Sequence, residues 1–249
     1  MNSLKVFETV DALNKAAAEY IITIAKKAIA ERGKFIISLS GGETPKKIYS
    51  LLATPHFCKQ IEWNKVFIFW GDERCVSLND VRNNAYQARL TLLDKIDIPL
   101  LNIYSIPVNL PPAEAASTYE KELKAFFGNE AEQSTLHAKF DLILLGLGEN
   151  GHTASLFPGT KVINEQTEGI RAVPVEEEKM FRITMTAPLI NQAHHILFLV
   201  TGENKAEVLK NVLAAPYQPE KYPAQLIKPV NGELAWFVNQ EAASLIKQF

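Results

Sequence analysis

Cysteine is scarce: Cys58 and Cys75 are the only two in 249 residues. A disulfide framework is therefore not expected, and both thiols should stay reduced, as in a cytosolic enzyme. No CxxC, HxxxH or carboxylate cluster carries metal-ligand spacing, so no metal site is expected. No apolar run reaches the roughly 18 residues that would signal a membrane span. Excess charge of either sign is also missing, since 26 Lys and Arg face 28 Asp and Glu for a formal charge of −2. That balance leaves no electrostatic footprint for nucleic acid or an anionic membrane. The first residues lack a basic region followed by an apolar core, so no secretory signal is expected. Internal repeats and low-complexity tracts are absent as well.

What remains is a chain with an ordinary core, 47% hydrophobic. Its length allows one large α/β domain or two small ones. One core and no convincing linker favour a single domain over 1–249. Strand-like apolar runs at Phe35–Leu39, Val66–Trp70, Asn102–Ile106, Asp141–Leu145, Ile170–Val175, Arg182–Met185, His195–Val200 and Leu234–Val238 alternate with helical patterns. The helices are expected at Val10–Arg32, Pro45–Ala53, Asn83–Ile96, Ala113–Phe127, Asn204–Leu213 and Gln240–Lys247. Asp11 is the expected N-cap of the first helix and Gly33 its stop. Such alternation implies an α/β three-layer sandwich with a largely parallel, Rossmann-like sheet covered on both faces. Ala214–Pro229, with four prolines, reads as a long loop.

The most informative stretch is Leu144–Gly159, LLGLGENGHTASLFPG. A buried strand runs into a turn with Gly146, Gly148 and Gly151, and His152 and Thr153 follow at once. Open α/β sheets bind ligands at the carboxyl ends of their strands. A histidine on a glycine-built turn can approach a substrate closely and titrate near neutral pH. The same glycines match the GxGxxG dinucleotide pattern, but the context disagrees. A dinucleotide site needs a long helix after the third glycine and an acidic residue ending the next strand. Here Pro158 limits any helix to about two turns, and Glu168 and Glu176 only flank the next strand.

Two other strand ends are polar. Ser38–Pro45, SLSGGETP, is a second strand-to-helix glycine turn. Gly41, Gly42 and Thr44 there can form an anion site at a helix N-terminus, or simply a tight turn with Thr44 as N-cap. Trp70–Val76, WGDERCV, puts Asp72, Glu73 and Arg74 directly after a strand, where burying them needs partners. Cys75 is better read as packing than as a nucleophile. Arg182 and Lys205 are ordinary surface cations unless they meet in one pocket, where they would hold a phosphate. His194 and His195 face opposite sides of a strand. His56 and His137 lie in polar loops.

Together SLSGGETP, GDERCV, LGLGENGHTASLFPG and RITMT with TGENKAEVL resemble the 6-phosphogluconolactonase family, in its order and over most of the chain. The resemblance implies the sugar-phosphate isomerase/deaminase type of fold and hydrolysis of 6-phospho-D-glucono-1,5-lactone, with no cofactor. The implied partner is a small phosphorylated sugar lactone. His152 would be general base, with Asp72 and Asn150 in its support. Gly41, Gly42, Thr44, Arg74, Gly151, Arg182 and Lys205 would bind substrate. The phosphate would lie between the Gly42–Thr44 turn, Arg182 and Lys205, with Arg74 joining it or pairing with the acids. Glucosamine-6-phosphate deaminases share the fold, but carry glutamate where this chain has Phe157 and usually tyrosine where it has Arg74. A non-catalytic sugar-phosphate binder is the third reading. One departure stands out: the family commonly has aspartate before Gly-His, and here Asn150 stands in its place. Asparagine can orient but cannot take a proton, so Asp72 or Glu73 would have to supply any needed carboxylate.

Overall fold

The computed structural model describes residues 2–128 and 138–246. Its centre is a six-stranded sheet in which all neighbours run parallel. The strands are β1 (Asn2–Phe7), β2 (Phe35–Leu39), β3 (Val66–Trp70), β5 (Leu142–Gly146), β8 (His195–Val200) and β9 (Glu233–Asn239), in the order β1-β9-β8-β5-β2-β3. β2, β5 and β8 are apolar nearly throughout because both faces are covered. Helices α1 (Val10–Arg32), α2 (Glu43–Leu52), α3 (Pro55–Cys58), α4 (Asn84–Thr91), α5 (Pro112–Phe127), α6 (Ala187–Ile190) and α7 (Ala206–Ala214) fill the connections. Among the described residues no helix is long and apolar enough to cross a membrane.

A second sheet is antiparallel and three-stranded, with β4 (Asp72–Arg74) and β6 (Ile170–Val175) flanking β7 (Met180–Met185). Gly71 joins the two sheets: its N–H donates to Leu39 O and its carbonyl accepts from Met185 N. Asp72 and Arg182 thereby come to one edge of the main sheet, although 110 residues separate them. One continuous apolar cluster includes residues of both sheets and the packed helices.

Several local expectations change. Ile170–Val175 and Arg182–Met185 form the second sheet rather than extending the first. β1 is an additional edge strand, hidden in the sequence because half-exposed Val6 and polar Asn2, Ser3 and Lys5 break any apolar run. Thr9, not Asp11, caps α1, its Oγ1 accepting from Ala12 N. α2 begins at Glu43, with Gly42 rather than Thr44 at the cap position and Pro45 in the first turn. The 83–96 segment breaks after Thr91 into a 3-10 turn at Leu93–Lys95. Asn102–Ile106 contributes a single bridge, Ile103 to Ile68, because Pro99 and Pro107 hold it to an irregular path. The segment from Gln240 forms successive turns rather than a helix, and Lys247 lies outside the described residues.

Candidate active site

The carboxyl ends of β2, β3, β5 and β8 open into a cleft of about 460 Å³. Every residue expected to bind or react lines it except Asn150 and Gly151, which shape the loop beneath His152. Glu73 does not line it.

The turn after β5 is built around the imidazole. Gly151 takes φ +83°, a conformation costly to residues with a Cβ. A Cβ on Gly148 would overlap the His152 ring. The second glycine of the GxGxxG-like run thus makes room for a histidine, and no α-helix follows the third. Asn150 Oδ1 lies 2.5 Å from His152 Nδ1 and 3.2 Å from the backbone N–H of His152. An amide oxygen only accepts, so Nδ1 carries the proton and Nε2 keeps its lone pair. Burial, then the nearby Arg182 charge, pushes His152 down to about 4, against the pull of Asp72. The ring is therefore neutral at neutral pH. It stacks on Phe157, with centroids 4.2 Å apart.

Beside it stands an ion cluster. Arg182 has its guanidinium above Phe157 and is paired with Glu178, Nε to Oε2 at 3.0 Å and Nη2 to Oε1 at 2.5 Å. Its Nη1 lies 3.6 Å from Asp72 Oδ2. The same Oδ2 accepts from Ser155 Oγ at 2.6 Å, and the Ser155 N–H donates to Thr184 Oγ1. Ser155 is wholly buried, and Ala154 before it takes φ +47°, an unusual conformation for a residue with a side chain. Asp72 and Arg182 are buried and Glu178 is exposed, and the two buried charges are mutually satisfied, the condition under which burial is tolerated.

The opposite wall carries the glycine turn. Thr44 Oγ1 bonds Thr201 Oγ1 at 2.8 Å, joining the start of α2 to the end of β8. Arg74 Nη1 donates to Asn84 Oδ1 and to Arg82 O, both at 2.7 Å. Ser40 Oγ and Arg74 Nε are buried without a partner among the described residues. Lys205 lies 3.9 Å from Glu149 Oε1, which also accepts from Asn204 Nδ2 at 2.6 Å. Burial lowers the Lys205 pKa and Glu149 opposes that effect.

Arg182 and Lys205 do share the cleft, as the resemblance implied, but differ in availability. Arg182 is engaged by two carboxylates, whereas among the described residues Lys205 has one distant and exposed partner. Among the described residues the Arg74 guanidinium bonds Arg82 O and Asn84 Oδ1 rather than Asp72 or Glu73. Glu73 is turned away, accepting three backbone N–H groups, and burial pushes it up to about 7. Cys75 is half-buried, and burial followed by Glu73 pushes it up to about 11, which suits packing. His194 and His195 lie at the amino end of β8, with His195 between Tyr20 and Glu233. His56 sits on α3 rather than in a loop, and His137 lies outside the described residues.

Sequence reading missed Ser155, Glu178, Asn84 and Glu149 as members of this constellation. Ser155 is signalled by its place in GHTAS. Asn84 and Glu178 reach the site through strand pairing and a short helix, and no local pattern marks them.

Comparison with known proteins places these features in context. Residues 8–236 match the family described as glucosamine-6-phosphate isomerases/6-phosphogluconolactonase. A 6-phosphogluconolactonase of Synechocystis is 44% identical over 229 residues, covering 91% of each chain. The structure of 6-phosphogluconolactonase from Trypanosoma cruzi superposes with a TM-score of 0.88 at 27% identity, over 100% of this chain and 98% of that one. A monomeric glucosamine-6-phosphate deaminase shares the fold, with a TM-score of 0.80 at 21% identity over 98% of this chain and 99% of its own.

Proposed function

The chain belongs to the glucosamine-6-phosphate isomerase/6-phosphogluconolactonase family, and from its cleft we infer that it hydrolyses 6-phospho-D-glucono-1,5-lactone to 6-phospho-D-gluconate. This is the lactone-opening step of the oxidative pentose phosphate pathway. The observation that carries the reading is His152: neutral, its Nδ1 proton held by Asn150, and lining the same cleft as the Gly41–Thr44 turn, Arg74 and Lys205.

The substrate phosphate is assigned to the turn Gly41–Thr44 at the start of α2, between Arg74 and Lys205. N–H groups at a helix N-terminus and paired cations favour an anion there. With the phosphate so anchored, the lactone carbonyl carbon lies toward His152. Nε2 takes a proton from water as the water oxygen bonds to that carbon. The tetrahedral oxyanion collapses with cleavage of the bond to the ring oxygen, which receives the proton from the imidazolium. General-base assistance of this kind contributes about 100- to 10,000-fold. Asp72 faces the imidazolium as it forms and supplies the carboxylate that Asn150 cannot. Arg182 is assigned to this reacting end, beside Asp72, rather than to the phosphate. No cofactor is required, because opening a lactone transfers neither electrons nor a carrier-borne group.

The reading covers residues 1–249 as one cytoplasmic catalytic unit acting on a small phosphorylated sugar lactone, without nucleic acid or membrane partners. Deamination of an amino sugar phosphate is the rival. Against it, Phe157, at the position of that group's glutamate, packs its ring on His152 and offers no carboxylate. A non-catalytic binder is disfavoured by the oriented, neutral imidazole. One assay separates the three: supply fresh 6-phosphogluconolactone, glucosamine 6-phosphate and 6-phosphogluconate, then follow acid release, ammonia release and binding. Ammonia release, or binding without turnover, would overturn the lactonase reading.

A further inference from the structure

Glu73 has no part in the chemistry above, yet it is only 1% exposed and immediately adjoins two residues that do. Its Oε1 accepts from the N–H groups of Arg74 and Asn84, and its Oε2 from that of Ala85, each at 2.8 Å. Asn84 and Ala85 open α4, whose third free N–H, on Tyr86, is already capped by Asn83 Oδ1 at 2.8 Å. Asn83 alone would be an ordinary cap for an eight-residue helix. A second, buried carboxylate is costly, and here three backbone N–H donors offset its burial.

The amide of Asn84 shows what those bonds hold in place. Its Nδ2 donates to the backbone carbonyl of Asp72 at 3.0 Å. Its Oδ1 accepts from Arg74 Nη1 at 2.7 Å. The same oxygen rests on Gly41, where any Cβ would overlap it. One amide thus touches three parts of the cleft: the strand bearing the catalytic carboxylate, the guanidinium and the glycine turn. The Glu73 carboxylate fixes the backbone from which that amide projects, and the backbone of Arg74 as well.

We propose that Glu73 and Asn84 are positioning residues for phosphate recognition, with Glu73 fixing the start of α4 so that Asn84 aims Arg74 at the Gly41–Thr44 turn. Glu73 does not line the cleft; Asn84 does, with its amide oxygen and nitrogen already engaged by Arg74 and the Asp72 carbonyl. The proposal rests on the lactonase reading for the identity of the ligand, and its test keeps the two apart by measuring binding as well as turnover.

Three variants make the comparison. Asn84→Ala removes the amide but leaves Glu73 and its donors in place. Glu73→Gln puts an NH2 group where one N–H must be accepted. Asn83→Ala removes only the ordinary cap and serves as the structural control. Affinity for 6-phosphogluconate is measured by calorimetry, and KM and kcat on the fresh lactone. Asn84→Ala and Glu73→Gln should each weaken 6-phosphogluconate at least tenfold and raise KM similarly, with kcat within about threefold. Asn83→Ala should lower Tm while keeping affinity and KM within about twofold. Should Glu73→Gln fail to fold, Asn84→Ala against Asn83→Ala decides alone. An Asn84→Ala affinity within twofold of the parent, or equal losses in Asn83→Ala and Asn84→Ala, overturns the proposal. A parent that binds 6-phosphogluconate without opening the lactone would refute the lactonase reading, and the affinity comparison would still judge the positioning roles.

Discussion

Replacing Asn150 by aspartate tests how this site manages its base. In the parent, Asn150 Oδ1 accepts from His152 Nδ1 at 2.5 Å, and the imidazole is held down to about 4 by burial and by Arg182. A carboxylate at the same point keeps the hydrogen bond and adds a negative charge in direct contact. An adjacent opposite charge typically moves a pKa by about one to three pH units toward the charged form. Asn150→Asp should therefore bring His152 to about 5–7. The base acts only when unprotonated, so kcat/KM falls as pH drops through this value. For the parent the acid limb lies near 4, and at pH 5 about 90% of the plateau should remain. For a variant with the histidine at about 6, only about 10% should remain at pH 5. At about pH 7.5 both are unprotonated, and activities should agree within about tenfold. Asn150→Leu, which removes the acceptor, should lose far more at every pH. The assay is a kcat/KM profile on fresh lactone from about pH 4.5 to 8, with spontaneous opening subtracted. An unmoved acid limb in the aspartate variant would refute the Asn150–His152 pairing. A plateau gain of orders of magnitude would show that asparagine impairs this chain, and a fully active leucine variant would make Asn150 loop filler.

Other substitutions probe separate walls. Lys205→Ala should raise KM for the phosphorylated lactone by about 10- to 150-fold, the worth of a charged hydrogen bond, and should barely change hydrolysis of unphosphorylated gluconolactone. Arg182→Ala, which leaves Glu178 and Asp72 uncompensated, should lower kcat on both lactones. Equal KM losses on the two lactones for Lys205→Ala would show that it does not read phosphate. Gly148→Ala drives a methyl into the imidazole and should cut kcat at least about a hundredfold with little change in 6-phosphogluconate affinity, since ring misplacement of about 1 Å costs that much. Ser155→Ala frees Asp72 Oδ2 from its 2.6 Å donor and should reduce kcat by at least about tenfold, a hydrogen bond to a charged group being worth roughly 1.5–3 kcal/mol. A further test is thermal. The folded-state His152 pKa is depressed from 6.5 to about 4, so its stabilising contribution is complete above 6.5 and is lost as pH falls toward 4. His152→Ala should accordingly lose less Tm than the parent between pH 7 and pH 4.5, and equal losses would contradict that burial.

The parts of the fold legible in the sequence were those with strong local causes. β2, β3, β5 and β8 are short apolar runs ending in glycine or polar clusters, and burial on both faces leaves them no alternation to confuse. The place of His152 in the cleft was legible because the glycine turn that bears it follows the carboxyl end of a buried strand, where α/β sheets open. β1 escaped because it is an edge strand whose partner, β9, lies at the other end of the chain. The second sheet escaped because β4 has three residues and its partner, β7, follows about a hundred positions later. The same distance hid Asp72 as a partner of Arg182, which looks like a free cation in RITMT; its other partner, Glu178, stands only four positions before it. Glu73 and Asp72 look alike in GDERCV, yet alternation along β4 turns one toward α4 and the other toward His152.

The central claim is that neutral His152 drives opening of the phosphorylated lactone, and the most direct measurement compares the parent with His152→Ala on freshly made 6-phosphogluconolactone. Calorimetry with 6-phosphogluconate confirms that both proteins bind. The account predicts that the variant folds, keeps the parent's affinity for 6-phosphogluconate, and loses at least about a hundredfold in kcat, the lower end of what general-base assistance provides. A variant with near-parental turnover above the spontaneous rate would contradict it.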